Sequence, residues 1–375
     1  MESDQSEAHL YVLPWLRLRD HINFGRVSVA PATDCLDPDH ACTEAAQRIL
    51  ACYQGLGGSP VSPSLMWMSN GDPLSLTAAD FDDLLRHRMC LSAGLVMSND
   101  YYDTAGIGPT TDAHCDGYFH RFSSDTAHVA IYKRRREGQY LDGWPLDKIT
   151  MTVPLSASPG HQLSIDQTLL DALVTTISGP SALAQTLERA LPPFLQANRL
   201  SEQTAVLDDL VWMGAALERL FGVSTPIGQG LADAVDVLFD GYSQGSTNWT
   251  NISMKGNASP DSGPWRKRWM REFYVRRSAL HSGESASSTW TDLFHGVIAT
   301  ELFSLAVKRH LEQTGERPLS DADRISMDAL DRRIELLAIH SSEPGDAWHE
   351  ARTTAARRAM TTAVAEALRT GDVSP

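Results

Sequence analysis

Leu210-Val211-Trp212-Met213-Gly214-Ala215-Ala216-Leu217-Glu218-Arg219-Leu220-Phe221 is the stretch on which the fold class of this chain turns. Together with Val206, the residues Leu210, Met213, Leu217 and Phe221 recur three or four positions apart and line one face of a helix. The spacing predicts a helix over 205–221, and outward from it the pattern stays helical. Upstream, Ser164 can cap a helix carrying Leu169, Leu170, Leu173, Val174 and Ile177, stopped by Gly179-Pro180. A second run carries Leu183, Leu187 and Leu191 and is expected to stop at Pro192-Pro193. Downstream, a helix is expected over about 229–239. A loop rich in Ser, Asn, Gly and Pro should follow over 242–264. Beyond it come a basic helix, a helix over 290–313, and a Ser320-capped helix with Ile325, Leu330, Ile334 and Leu337. The Ala- and Arg-rich tail at about 346–369 has a helical pattern. Its apolar bulk is too small to fold alone, so it should pack on a neighbour or a partner chain.

The first 160 residues read differently. Residues 9–13, 24–29, 127–132 and 149–153 are strand-like, the last alternating at period two. Helices are expected over about 42–53 and 78–89, the second with Thr77 as N-cap and Asp80 in the capping-box position. Residues 92–124 lack periodicity and read as a loop. The expected fold class is therefore α+β. A mixed α/β, β-rich domain spans 1–160, an all-α helical bundle 161–342, and an Ala/Arg-rich helix and tail 343–375.

Composition narrows the chemistry. With 42% hydrophobic and 21% charged residues over 375 positions, the chain is globular and long enough for two domains. A net charge of −15 argues against a surface that coats nucleic acid. One local basic cluster stands out: Lys255, Arg266, Lys267, Arg268, Arg271, Arg276 and Arg277 face only Asp261 and Glu272 within residues 255–277. Such a patch can focus a polyanion on one site, or it is a solvated helix face. No apolar run is long enough to span a membrane and the acidic N-terminus has no signal-peptide core, so a cytoplasmic location is expected. Cys35, Cys42, Cys52, Cys90 and Cys115 are sparse and odd in number. Their spacings, and those of His40, His114 and His120, match no standard zinc finger. They read as buried thiols and loop histidines, with no metal and no cofactor expected. No phosphate-binding loop and no Gly-x-Ser-x-Gly elbow is present.

The basic cluster ends in Arg276-Arg277-Ser278-Ala279-Leu280-His281-Ser282-Gly283. A neutral imidazole can take a proton from a hydroxyl near pH 7, and a guanidinium can hold charge that builds on phosphate oxygens. On a helix Arg277 and His281 share a face, while Arg276 points about 100° from Arg277. Ser282-Gly283 reads as the helix end, which leaves His281 at a partly open rim. Alternatively, the two arginines are surface residues and a cationic His281 caps the helix C-terminus. Glu218 can orient His281 or an arginine, or pair with a neighbour at the bundle rim. His295 is a candidate second imidazole or a core histidine. Trp265, Trp269 and Tyr274 can stack on unpaired bases or anchor the core.

These residues resemble the HEPN superfamily, all-helical domains that are often RNA-cleaving toxins or antiviral effectors. Their mark is an Arg, four to six residues beginning with a polar one, then His, commonly followed by Gly. Arg276 and His281 stand at those positions. Residues 210–221 resemble the family's "ALE-x-LF" helix, 271–276 its aromatic-led approach to the Arg, and 289–303 the helix that closes the bundle. The likeness covers roughly 165–340. Arg277 departs from the family's usual Asn, Asp, His or Ser, and Ser282 separates His281 from Gly283.

The resemblance implies a HEPN-like bundle and a metal-independent endoribonuclease working as a toxin or anti-phage effector. A homodimer, or a higher homo-oligomer, would bring two Arg/His motifs together across a two-fold axis. His281 would be the acid or base, Arg276 and Arg277 the phosphate binders, with Glu218 beside them. Lys255, Arg266, Lys267, Arg268 and Arg271 would bind RNA, such as tRNA or mRNA. The N-terminal domain would sense or recognise something, such as a phage-derived trigger or an antitoxin. From composition and position alone, the 242–264 loop just before the motif would be a gate. The rivals are a non-catalytic HEPN-like module that dimerises and grips RNA or a partner, and the toxin of a toxin–antitoxin pair.

Overall fold

The computed structural model describes residues 7–18, 20–55, 58–98, 112–124, 128–135, 138–148, 150–153, 165–199, 206–223, 227–242, 246–252, 258–282 and 288–340. The chain is mixed α/β, with a β-rich N-terminal part followed by helices. It divides into two compact units. The first takes the described residues up to Ser98 and those between Thr110 and Thr175; the second takes those from Thr176 onward.

The first unit contains β1 (Glu7–Leu13), β2 (Ile22–Phe24), β3 (Val27–Pro31), α1 (Ala32–Cys35), α2 (Thr43–Leu50), β4 (Tyr53–Gln54) and β5 (Ser64–Met68). Then follow α3 (Phe81–Ser98), β6 (Tyr118–Ser123), β7 (His128–Arg135), β8 (Gly138–Pro145) and β9 (Met151–Thr152). Seven strands form one antiparallel sheet in the order β2-β3-β5-β1-β6-β7-β8, and β4 pairs with β9 in parallel. In β1, Leu10 through Leu13 are buried in succession, as befits a central strand covered on both faces. All five cysteines are free thiols, and Cys42, Cys90 and Cys115 are buried.

Three expectations for this unit change. The strand expected over 24–29 is a hairpin, because Phe24 pairs with Val27 and leaves Gly25-Arg26 as a two-residue turn. The helix expected to end near 89 runs on to Ser98, since Cys90 through Met97 are buried all round and no amphipathic period marks that half. Accordingly, residues 92–124 are not one loop: they hold the end of α3 and the strand β6.

Gly25 has φ +59°, and a Cβ there would sit 2.6 Å from Val174 Cγ1 and 2.9 Å from His87 Nε2. Gly25→Ala combines left-handed strain with overpacking and is expected to destabilise the first unit by about 2–4 kcal/mol. Urea unfolding of wild type and variant measures it; a loss under about 1 kcal/mol rejects this account.

The chain passes from the first unit to the second within α4 (Gln167–Ser178). Its N-cap is Asp166, whose Oδ1 accepts from the Leu169 amide at 3.0 Å; Ser164, expected in that role, lies outside the described residues. The second unit contains α5 (Ala182–Ala197), α6 (Val206–Phe221), α7 (Ile227–Leu238), β10 (Ser246–Ile252), β11 (Ala258–Pro264), α8 (Trp265–Ser282), α9 (Asp292–Gln313) and α10 (Asp321–His340). Helix α5 does not stop at Pro192-Pro193. A proline at 193 cannot donate to the Arg189 carbonyl, and Arg219 Nη1 from α6 donates to that oxygen instead at 3.0 Å. Ser320 caps α10 as expected, accepting from the Asp323 amide at 3.1 Å while Asp323 accepts from the Ser320 amide.

The expected 242–264 loop is mostly a β-hairpin, with β10 and β11 paired from Ser246↔Pro264 to Ile252↔Ala258. Its prolines are tolerated because a two-stranded ribbon has open outer edges. Strand β11 runs directly into α8, so the described part of the segment leading to α8 is an ordered strand. No helix among the described residues is long and apolar enough to cross a membrane.

Candidate functional site

Helix α8 carries the expected site on a segment with little apolar periodicity. Trp269, Met270, Phe273 and Ala279 are buried, while the basic residues ring the rest of the helix. The helix runs through Ser282, so His281 stands in its last turn, four residues after Arg277. The His281 side chain and the whole of Lys255 lie outside the described residues.

Arg276 reaches across to the first turn of α9. Its Nε and Nη2 donate to the two carboxylate oxygens of Asp292 at 2.7 and 2.8 Å, a bidentate pair. The hydrogen bond raises the proton affinity of Arg276 and, with the guanidinium charge, holds the Asp292 carboxyl below its usual range. Arg277 turns the other way, toward α6. Its Nη1 lies 3.2 Å from Glu218 Oε1, and its guanidinium carbon lies 5.8 Å from the Tyr274 ring centre. Gly214 makes this approach possible, because a Cβ there would come within 2.9 Å of Arg277 Nε. Glu218 therefore braces an arginine.

The described residues expected to bind RNA, Arg266, Lys267, Arg268 and Arg271, are engaged within the protein. Arg266, at 4% exposure, is a correction to the surface patch: its guanidinium is inside the fold. It pairs with Asp331 of α10, lies 3.3 Å from Asp236 Oδ1, and donates to the Tyr242 and Phe239 carbonyls at 3.3 Å. Lys267 Nζ sits 3.0 Å from Asp233 and 3.7 Å from Asp236. Arg268 pairs with Glu272 at 3.0 Å and lies over the Trp265 and Trp290 rings. Arg271 Nη2 donates to Asp261 of β11 at 3.2 Å.

Trp269 is wholly buried and belongs to the core; Trp265 and Tyr274 are half-buried and carry Arg268 and Arg277 on their faces. His295 is also core. It is packed near Trp269, Phe273 and Trp290, with Nε2 2.8 Å from Ser288 Oγ and Nδ1 without a hydrogen-bond partner. Burial pushes its pKa down to about 3, which keeps it neutral.

In the first unit His120 is equally buried, 2.6 Å from Tyr53 Oη, and burial lowers it to about 3 as well. An unfolded histidine titrates near 6.5, so below that pH the unfolded chain binds protons that the folded chain refuses. Stability should then fall as pH drops from about 6.5 toward 3, by up to about 1.4 kcal/mol per unit for each histidine. Unfolding of wild type and His295→Gln at pH 7 and pH 5 tests this: the variant should lose less on acidification, and equal losses reject it.

The residues that sequence reasoning passed over are Asp292, Asp331 and Gly214. Asp292 follows the Thr291 cap of α9, and an acid there reads as dipole compensation. Asp331 lies within an ordinary charged helix, 65 residues from Arg266. No group of three or more His, Cys, Asp or Glu that could hold a metal ion occurs among the described residues. No protein-family model, curated protein or solved structure matches this chain.

Proposed function

We propose that the protein is a cytoplasmic endoribonuclease with a HEPN-like helical domain, acting as a toxin or anti-phage effector. The supporting observation is the C-terminal half of α8, where Arg276 and Arg277 are braced by separate carboxylates a turn or so before His281. Bracing removes rotamer freedom, so the guanidiniums need little reordering when a phosphate arrives. His281 as base takes the proton of a ribose 2′-OH, whose oxygen attacks the adjacent phosphorus. The arginines hold the charge that develops on the phosphate oxygens. An imidazolium, His281 of a second copy, protonates the departing 5′-oxygen. One product end is a 2′,3′-cyclic phosphate, and DNA, lacking the 2′-OH, is not cut. RNA such as tRNA or mRNA is the substrate, and the first unit senses a phage-derived trigger or meets an antitoxin.

A second reading has one observation in its favour. Lys267, Arg268 and Arg271 each face a carboxylate, and Arg266 is buried, so the basic cluster is largely neutralised internally. That pattern suits a helical module that binds a partner and cleaves nothing. Incubating wild type and His281→Ala with total RNA and tRNA in EDTA separates the two. Cuts with 2′,3′-cyclic phosphate ends, lost in the variant, are expected; no cleavage by wild type, even in phage-infected lysate, sinks the ribonuclease.

A further inference from the structure

Helix α6 buries one face through Leu210, Met213, Ala216, Leu217 and Leu220. Its outer face carries apolar residues as well. Leu207 and Trp212 are 41% and 43% exposed, with half-buried Val211 and Ala215 beside them. Val237 and Ile325 are exposed too, but each has an aspartate about one turn away, Asp233 for the first and Asp321 and Asp328 for the second, so neither belongs to a patch. We propose that the chain's own C-terminal segment covers the outer face of α6. Residues 355–368 form a helix along it, with Met360, Val364 and Leu368 turned toward Leu207, Val211 and Trp212.

Pattern, exit point and reach together choose this occupant. Apolar residues recur in pairs four positions apart, Ala355-Ala356, Ala359-Met360, Ala363-Val364 and Ala367-Leu368, with Arg357, Arg358, Thr361 and Thr362 between them. A stripe this light does not hold a helix alone, so it needs a surface to lie on. The described chain ends close to such a surface. Helix α6 runs parallel to α9: a Cβ at Gly296 would lie 3.9 Å from Leu210 Cδ2, and the Phe221 and His310 ring centres are 6.2 Å apart. Helix α10 runs back along α9, with Lys308 Nζ 2.8 Å from Asp323 and Trp290 Nε1 donating to the Ile334 carbonyl at 3.1 Å. It therefore ends, at His340, at the end of the bundle where α6 begins and where Leu207, Val211 and Trp212 stand. Pro344-Gly345 separates the stripe from α10 as a helix-breaking pair. Residues 341–354, fully extended, span up to about 46–50 Å. The way from α10 past α9 to the outer side of α6 is three helix spacings, about 30 Å at most. The docking does not depend on the ribonuclease reading.

Hydrogen exchange of the full chain tests the docking, because an undocked stripe of this kind would leave its amides unprotected. In wild type the amides of 355–368 should exchange at least about tenfold more slowly than those of an unfolded chain. Trp212→Asp should remove that protection while the amides of α9 keep theirs, which shows that the variant is folded. Met360→Asp with Val364→Asp leaves the bundle untouched and gives the reciprocal reading: Trp212 should be oxidised faster by hydroxyl radicals than in wild type. Should α9 lose protection in Trp212→Asp, the double variant decides. A segment that exchanges freely in wild type overturns the proposal. So does protection indifferent to Trp212→Asp in a folded variant, or a Trp212 no more reactive in the double variant. Protection that grows with protein concentration over about a hundredfold range would mean docking on a second copy, and overturns it too.

Discussion

Asp331→Ala is expected to destabilise the second unit by about 3–5 kcal/mol, the range for stripping one partner from a buried ion pair. Arg266 and Asp331 side chains are 5% and 2% exposed, so little water can replace the lost carboxylate. Asp331 also caps α8, accepting from the Arg266 backbone amide at 2.7 Å; α8 follows directly on Pro264 of β11. A cation at a helix N-terminus is unfavourable toward the dipole, which makes the carboxylate more necessary still. Asp236, partly exposed and 3.3 Å from Arg266, offsets only part of the loss. The control is Arg266→Met with Asp331→Leu, which removes both charges and should recover much of the stability. Urea unfolding of the three proteins measures the effect. A loss below about 1 kcal/mol for Asp331→Ala contradicts this account of the α7–α8–α10 junction.

Replacing His281 with alanine should lower RNA cleavage by about 10²–10⁴-fold, the usual worth of a positioned general acid or base, without loss of fold. Arg276→Ala should cost about 10²-fold or more, because it removes charge stabilisation that is needed most in the transition state. It also leaves Asp292 without the guanidinium that holds its carboxyl low. Asp292→Asn separates the two effects: it keeps Arg276 and loosens its orientation, so a smaller fall in rate is expected. Arg277 is tied to Glu218 on α6, and Arg277→Lys should retain charge while losing the fit against Gly214 and Tyr274. Single-turnover cleavage with circular dichroism on each variant decides the matter. Equal rates for wild type and His281→Ala would remove the imidazole from the mechanism.

Much of the helical half is legible from spacing, because helices such as α5, α6 and α7 bury one stripe against the others. The residues 206, 210, 213, 217 and 221 announce α6, and the Ser320 cap announces α10. The misread places have different physical causes. Pro192 and Pro193 end a helix unless something else satisfies the freed carbonyl, and Arg219 of another helix does so. The polar stretch at 246–264 looks like a loop until its own two halves are paired residue by residue. The second half of α3 has no amphipathic signature because it is buried on all sides.

The same division runs through the candidate site. Local order along the chain is enough to put Arg276, Arg277 and His281 on the closing turns of one helix, since helical periodicity depends on neighbours only. Whether a basic side chain faces solvent or a carboxylate depends on which distant helix lies beside it. Asp331, Asp292, Glu218 and Asp233 therefore decide the fate of Arg266, Arg276, Arg277 and Lys267. Charge count alone reads those residues as a polyanion-binding patch. Packing turns most of that charge inward, because a buried or half-buried cation is tolerated only where an anion is brought within a few ångströms of it.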